Sequence, residues 1–314
     1  MSTGPEQAFV RLSTKQLLHH QLRVLPVLHW MNARYAAAQI RRAQHDWIRT
    51  PDIAVINFNY DFYFLRSVFP TQRIITIVND DFATMSRLPF THHIKWALRR
   101  TCMMSDSVLA VSSPLRAQLS EWCDPQLFLP WSADGYHRPV PDVSRRTILL
   151  YWGYINIRLD MAVVDALARH LMQHRPTWRI QFVGPRDGRS GARVCDALAK
   201  YSNVEVLGER TLSELPTDRV LAALIPYQRV PFNDAIMLSN KTVQLLSRGL
   251  PLLISGMPAF IERPFIRRLD SRETIGQVLD SCMANFNRWQ DEIESFVDEN
   301  SAASRLQQLT ALVG

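Results

Sequence analysis

Cysteine is scarce and scattered. The four residues, Cys102, Cys123, Cys195 and Cys282, form no CxxC pair, which argues against a disulfide framework or a thiolate zinc site and leaves mostly buried thiols. Histidine adds no metal site, because His19 with His20 and His92 with His93 are adjacent, and adjacent helical residues face different sides. A run of ~18 apolar residues is missing, so no spanning helix is expected. Residues 1–16 hold no continuous apolar segment behind a basic start, so no secretory leader is expected. The dinucleotide pattern GxGxxG and the P-loop pattern are both absent. No DxD motif stands at a strand end, so no metal requirement is expected.

What is present is globular. In 314 residues, 47% are hydrophobic and 21% charged, a composition that supports two domains with a substantial core in each. Lys and Arg number 36 against 29 Asp and Glu, a formal charge of +7. That excess favours an anionic partner without choosing among nucleic acid, an acidic membrane face and a phosphorylated substrate.

Residues 14–49 read as helix, interrupted at Pro26, with an apolar stripe of Leu17, Leu18, Leu22, Leu25 and Leu28 and a strongly basic remainder. Such a helix either lies on an anionic membrane or covers the first sheet with its basic face wet. From Pro51 short β-branched runs alternate with helical stretches. Strands are expected at 52–57, 73–78 and 107–111, a helix at 91–104, and an edge strand at 127–130. Pro139 and Pro141 mark a break, giving a first domain over 1–140 and a linker at 141–146. The alternation then restarts more regularly, with strands at 147–151, 178–183, 204–207, 219–225 and 251–254. Helices fall at 160–173, 191–200, 240–248 and within 273–297. A second domain over 147–290 and a C-terminal helix in 291–314 complete the reading. Strands alternating with helices predict mostly parallel sheets covered on both faces.

Ligands of open parallel sheets gather at the carboxyl ends of strands, so the polar residues after each apolar run carry the chemistry. In the first domain Asn79-Asp80-Asp81 stands out. One carboxylate can serve as general base while the other braces the turn, or both are turn residues. In the second domain Gly153, Gly184 and Gly208 allow close backbone approach. Lys241 opens a helix beside free N–H groups and suits a diphosphate, and Gln244 follows on the same face. Arg158 and Arg186 are further phosphate candidates, or solvated surface arginines.

Together these segments resemble the GT-B glycosyltransferases. Residues 148–160, ILLYWGYINIRLD, resemble the opening strand and donor loop of the family's C-terminal domain, and 203–215, NVEVLGERTLSEL, resemble its continuation. LIPY at 224–227 and NKTVQLLSRGLP at 240–251 resemble the strand, loop and helix of its donor site. In the first half, ITIVNDDF at 75–82 and DSVLAVSSPL at 106–115 resemble acceptor-side strands. The resemblance implies two Rossmann-like α/β domains facing a cleft, the first of them shortened, since only one convincing strand precedes residue 73. The C-terminal helix would pack back on the first domain.

The paired glutamates of many retaining members are missing. Lys241 with Gln244 instead resembles a bacterial exopolysaccharide branch of inverting glucuronosyltransferases. That branch implies diphosphate contact for Lys241, donor contact for Gln244 and Tyr227, and a base role for Asp80, with Asp81 as the alternative. Gly153, Tyr154, Arg158, Gly184 and Arg210 complete the expected donor site, Arg210 and Ile155 standing where the branch has apolar contacts. The expected function is metal-independent transfer of a hexosyl or glycuronosyl group from a nucleotide sugar, UDP-sugar favoured, to a glycan or lipid-linked acceptor. The setting would be the cytoplasmic face of an anionic membrane, without a cofactor and without nucleic acid. A non-catalytic sugar-nucleotide-binding protein is the first alternative, and a basic nucleic-acid-binding protein the second.

Overall fold

A computed structural model describes residues 12–17, 25–43, 54–86, 91–270 and 273–313. The chain divides into two compact units, one built from the residues up to Ala110 with Leu115–Leu127, the other from Val111–Pro114 with Phe128–Leu312.

The first unit begins with helix α1, Pro26–Ala43. Proline lacks an N–H and has φ preset for a first helical position, so the helix starts at Pro26 and is not interrupted there. Residues 12–17 are not helical, and 18–24 and 44–53 lie outside the described residues. The expected leucine stripe is also corrected. Leu17 and Leu25 are exposed and Leu28 is half-buried, while α1 buries His29, Asn32 and Ile40 together with Ala33, Ala36 and Ala37, whose small side chains let its backbone approach the core closely.

Four parallel strands follow, β1 Ala54–Asn57, β2 Arg73–Val78, β3 Ser107–Ala110 and β4 Pro125–Leu127, paired in that order. Five consecutive buried residues in β2 are what a parallel strand covered on both faces requires. The short helix α2, Leu65–Val68, follows β1. Helices α3, His92–Met104, and α4, Ser113–Leu119, make the next crossovers, and α3 buries Ile94, Leu98 and Cys102 as its period predicts. The edge strand sits two residues earlier than expected. Pro125 can open an edge strand, whereas Pro130 could not donate within one.

The second unit contains β5 Ile148–Trp152, α5 Met161–His174, β6 Arg179–Val183, α6 Gly188–Leu198, β7 Val204–Leu207, β8 Val220–Pro226, α7 Asn240–Ser247, β9 Leu252–Ser255 and β10 Ile266–Arg268. Helices α8 Ile275–Asn285, α9 Gln290–Glu299 and α10 Ala302–Val313 close it. Six parallel strands pair in the order β10-β9-β8-β5-β6-β7. All seven residues of β8 are buried, as befits a central strand. Helix starts are fixed locally: the Asp160 carboxylate accepts from the N–H groups of Ala162 and Val163, and Ser239 with Thr242 forms a reciprocal capping box. The three-residue strand β10 carries too little pattern to be seen in sequence. The C-terminal region is two helices rather than one, and Ser132 pairs with Ser301 where they break.

The proline-bearing segment before β5 is fastened to the second unit. Arg146, fully buried, donates to the carbonyls of Val140 (2.7 Å), Thr217 (3.1 Å) and Val220 (2.6 Å), and its guanidinium lies 4.2 Å from the Phe286 ring. Its replacement by alanine strands those carbonyls and opens a void. Urea denaturation of Arg146→Ala is expected to show a loss of about 2–4 kcal/mol, with Arg146→Lys recovering only part, because a point charge cannot reach three carbonyls.

Candidate functional site

Counted along the second unit, the strand order runs 3-2-1-4-5-6, the doubly wound order. From β5 the chain moves outward through β6 and β7, then returns to lay β8 on the other side of β5. The crossovers on either side of that point take opposite faces, and a crevice opens outside the carboxyl ends of β5 and β8. The residues there are Trp152, the last of β5, with Gly153 after it, and Pro226, the last of β8, with Tyr227 after it.

The loop after β5 is sewn to both neighbours. Gly153 N–H donates to the Val183 carbonyl at 2.9 Å, and Ile155 N–H to that of Pro185 at 2.9 Å. On the other side, Asp160 N–H reaches the Pro226 carbonyl and Gln228 N–H the Arg158 carbonyl, each at 2.8 Å. Two glycines make this possible. Gly184 has φ +145, and a Cβ on it would stand 2.1 Å from the Gly153 oxygen. Gly153 has φ +144, and a Cβ there would lie 3.2 Å from Lys241 Nζ, so a side chain would crowd the lysine.

Lys241, the second residue of α7, is held among aromatic groups. Its Nζ donates to the Tyr227 hydroxyl at 2.6 Å and lies 4.9 Å from the Tyr151 ring centroid and 4.8 Å from that of Tyr227. Among the described residues its charge is met by ring faces and a phenol oxygen rather than by a carboxylate. Burial alone would raise the Tyr227 phenol, but the Lys241 charge and hydrogen bond, together with a hydrogen bond to Tyr151 and the Arg158 charge, hold the group below its ordinary 10. Burial drives the Tyr151 phenol the other way, far above its ordinary value, so it stays neutral and donates a hydrogen bond to the Tyr154 carbonyl at 2.7 Å. The result is a half-buried cation with N–H groups to spare at a helix start, an arrangement suited to an anion.

Beside it lies a pocket of about 360 Å³ lined by Asp134, Trp152, Arg210, Ser213 and Gln244, among others. Its wall is tied together by Trp152 Nε1, which donates to the Arg210 carbonyl at 2.9 Å. Helix α7 thus sends Lys241 to the strand ends and Gln244, one turn on, to this pocket.

The structure therefore gathers Gly153, Gly184, Tyr227 and Lys241 at the strand ends, and Arg210 and Gln244 at the pocket. Arg158 is exposed and stacks over Phe232 at 4.7 Å, with its charge felt by Tyr151 and Tyr227. Tyr154 is exposed, and its carbonyl is the part engaged. Gly208 has open space around it, and Arg186 is exposed. Asp80 and Asp81 belong to the first unit, just past β2. The Asp81 carboxylate accepts from Thr84 N–H at 3.2 Å, a contact within the turn. Tyr151 and Trp152 escaped the sequence reading. The available signal was a tyrosine and a tryptophan closing an otherwise aliphatic strand before a glycine. Among the described residues no three of His, Cys, Asp and Glu cluster as a metal site.

No family model matches the chain, and no curated protein matches it in sequence. Solved structures do match in fold. Anabaena HepE in complex with UDP superposes with a TM-score of 0.66 at 11% identity, covering 91% of this chain and 83% of that one. A point mutant of S. aureus TarM, solved with fondaparinux, alpha-GlcNAc-glycerol and UDP, gives 0.63 at 10% identity over 89% of this chain and 59% of its own. The pneumococcal O-GlcNAc transferase GtfA, with UDP and GlcNAc, gives 0.58 at 12% identity over 88% and 59%. The chain spans less than two thirds of the length of TarM and GtfA. These likenesses show the fold: two Rossmann-like α/β units of the GT-B type.

The Lys241–Tyr227 pair has an optical signature. Ultraviolet titration is expected to show the Tyr227 phenolate forming at a lower pH than an ordinary phenol's. In Lys241→Met that ionisation should move upward, because removing the cation leaves burial as the dominant influence. An unchanged titration would mean that the amine does not govern the phenol.

Proposed function

We propose that the chain is a glycosyltransferase that moves a hexosyl or glycuronosyl group from a nucleotide-diphosphate sugar to a hydroxyl of a glycan or lipid-linked acceptor in polysaccharide biosynthesis. The observation that carries this reading is the placing of Lys241 at the switch point of the doubly wound sheet, held by Tyr151 and Tyr227 without a carboxylate partner among the described residues. Three structures of the same fold were solved with UDP, which supports a UDP-sugar as donor. The pairing of Lys241 with Gln244 supports the inverting glucuronosyltransferase branch.

In this reading Lys241, the first turn of α7 and Arg158 receive the diphosphate, while Gln244, Arg210 and Trp152 line the pocket for the rest of the donor. The acceptor oxygen forms its bond to the anomeric carbon as the bond from that carbon to the diphosphate oxygen breaks. Asp80 takes the acceptor proton, and the negative charge released onto the diphosphate is met by Lys241 and the helix start. Lys241 fills the counter-charge role, so no metal is assigned. The chain works at a cytoplasmic membrane face.

A second reading, a donor-binding protein without transfer activity, is favoured by one feature. The described strands of the first sheet lie in chain order, with no reversal and hence no crevice of the β5–β8 kind at the Asp80 strand end.

Calorimetry separates the donor role from the rest. Lys241→Ala is expected to weaken UDP at least about tenfold while leaving uridine nearly unchanged, since a charge-assisted hydrogen bond to phosphate contributes about 1.5–3 kcal/mol. Equal UDP affinity in both proteins rules the diphosphate role out. For transfer, labelled nucleotide sugars are supplied with membrane-lipid extract. Asp80→Asn is expected to preserve UDP binding and cut turnover roughly 10²–10⁴-fold, the usual range for a positioned base. Asp81→Asn should cost less activity. UDP binding without turnover by the unaltered chain selects the second reading.

A further inference from the structure

Two helices of the first unit leave exposed faces of the same character. Along α1 the outward residues Trp30, Met31, Arg34, Tyr35, Arg41 and Arg42 recur at helical spacing and so share one side. Along α3 the same holds for Lys95, Trp96, Arg99, Arg100 and Met103. Neither helix contains a single Asp or Glu. The large apolar side chains are unusually open, with Trp30 55%, Trp96 47% and Met103 58% exposed. In each helix an arginine lies over the tryptophan ring, Arg34 over Trp30 at 5.0 Å and Arg100 over Trp96 at 5.9 Å.

The buried sides of the two helices meet one loop. His29 of α1 meets the Tyr60 ring edge-on at 6.0 Å, and Thr101 of α3 donates to the Tyr60 carbonyl at 2.8 Å. Three residues on, Tyr63 packs edge-on against Trp96 at 5.2 Å. Basic side chains alone would suit any polyanion. Tryptophan and methionine on the same faces narrow the choice, because indole rings settle at headgroup depth and thioether chains gain by entering the acyl boundary, whereas a phosphodiester strand offers methionine nothing comparable. Among the described residues no helix is long and apolar enough to cross a membrane, so contact would be with the surface.

We propose that these exposed faces of the first unit dock on an anionic lipid bilayer, with α1 and α3 lying in the headgroup plane. Trp30, Met31, Trp96 and Met103 enter the acyl boundary, and Arg34, Arg99 and Arg100 meet lipid phosphates. The proposal is independent of the donor reading, since none of these residues lies in the second unit.

The test is co-sedimentation of the full chain with vesicles of phosphatidylcholine alone or mixed with phosphatidylglycerol, with UDP binding measured in parallel. Binding is expected to the mixed vesicles, to weaken as salt is raised, and to be slight with phosphatidylcholine alone. A Trp30→Ser, Trp96→Ser pair and an Arg34→Glu, Arg99→Glu pair should each lower partitioning by roughly 10–100-fold, with circular dichroism unchanged because all four positions are exposed. Equal binding to both vesicle types overturns the proposal. So does undiminished binding by either pair of variants, or tighter binding of oligouridylate than of mixed vesicles, which would assign the face to RNA. Lost vesicle binding with UDP binding intact supports docking and leaves the donor reading untouched.

Discussion

A lysine at the mouth of a parallel sheet must replace much of the water it gives up, and here two tyrosines do so. The Tyr151 and Tyr227 ring faces and the Tyr227 oxygen hold the Lys241 ammonium without neutralising it. A carboxylate in the same place would have quenched the charge and left little for an anion. Much of the surrounding architecture maintains this arrangement. The capping box of Ser239 and Thr242 sets the start of α7, the close approach of Gly184 to Gly153 sets the loop height, and the strand order places β5 beside β8.

The two sheets make different demands on their loops. In the six-stranded sheet the reversal at β5 creates a crevice as a consequence of topology, so side chains need only furnish it. In the four-stranded sheet the described strands follow one another without reversal, and any ligand there depends on the loops themselves. Asp81 spends its carboxylate on such a loop, holding Thr84. That difference leaves the topological crevice to the second unit.

The alternation of strands and helices was legible because central parallel strands are near-continuous apolar runs. β2 and β8 announce themselves, Lys241 stood out as a lysine opening a helix, and Tyr227 entered through the family resemblance. What escaped did so for physical reasons. β10 is three residues long, shorter than any period can reveal. The face that α1 buries is set by alanines, whose small size mattered more than the hydrophobicity of the leucines, so the leucine stripe misled. Tyr151 was hidden because a tyrosine inside a strand reads as core, and only the fold shows its ring beneath an ammonium.

The hydrogen bond from Lys241 to Tyr227 also makes the site its own indicator. The phenol is acidified by a neighbouring positive charge, so any ligand that neutralises that charge withdraws the acidification. An anion set against Lys241 would push the tyrosine's ionisation to higher pH, whereas an uncharged ligand would leave it nearly where it was. An anion at Lys241 and an uncharged ligand elsewhere would thus leave different marks on the light absorbed at one side chain.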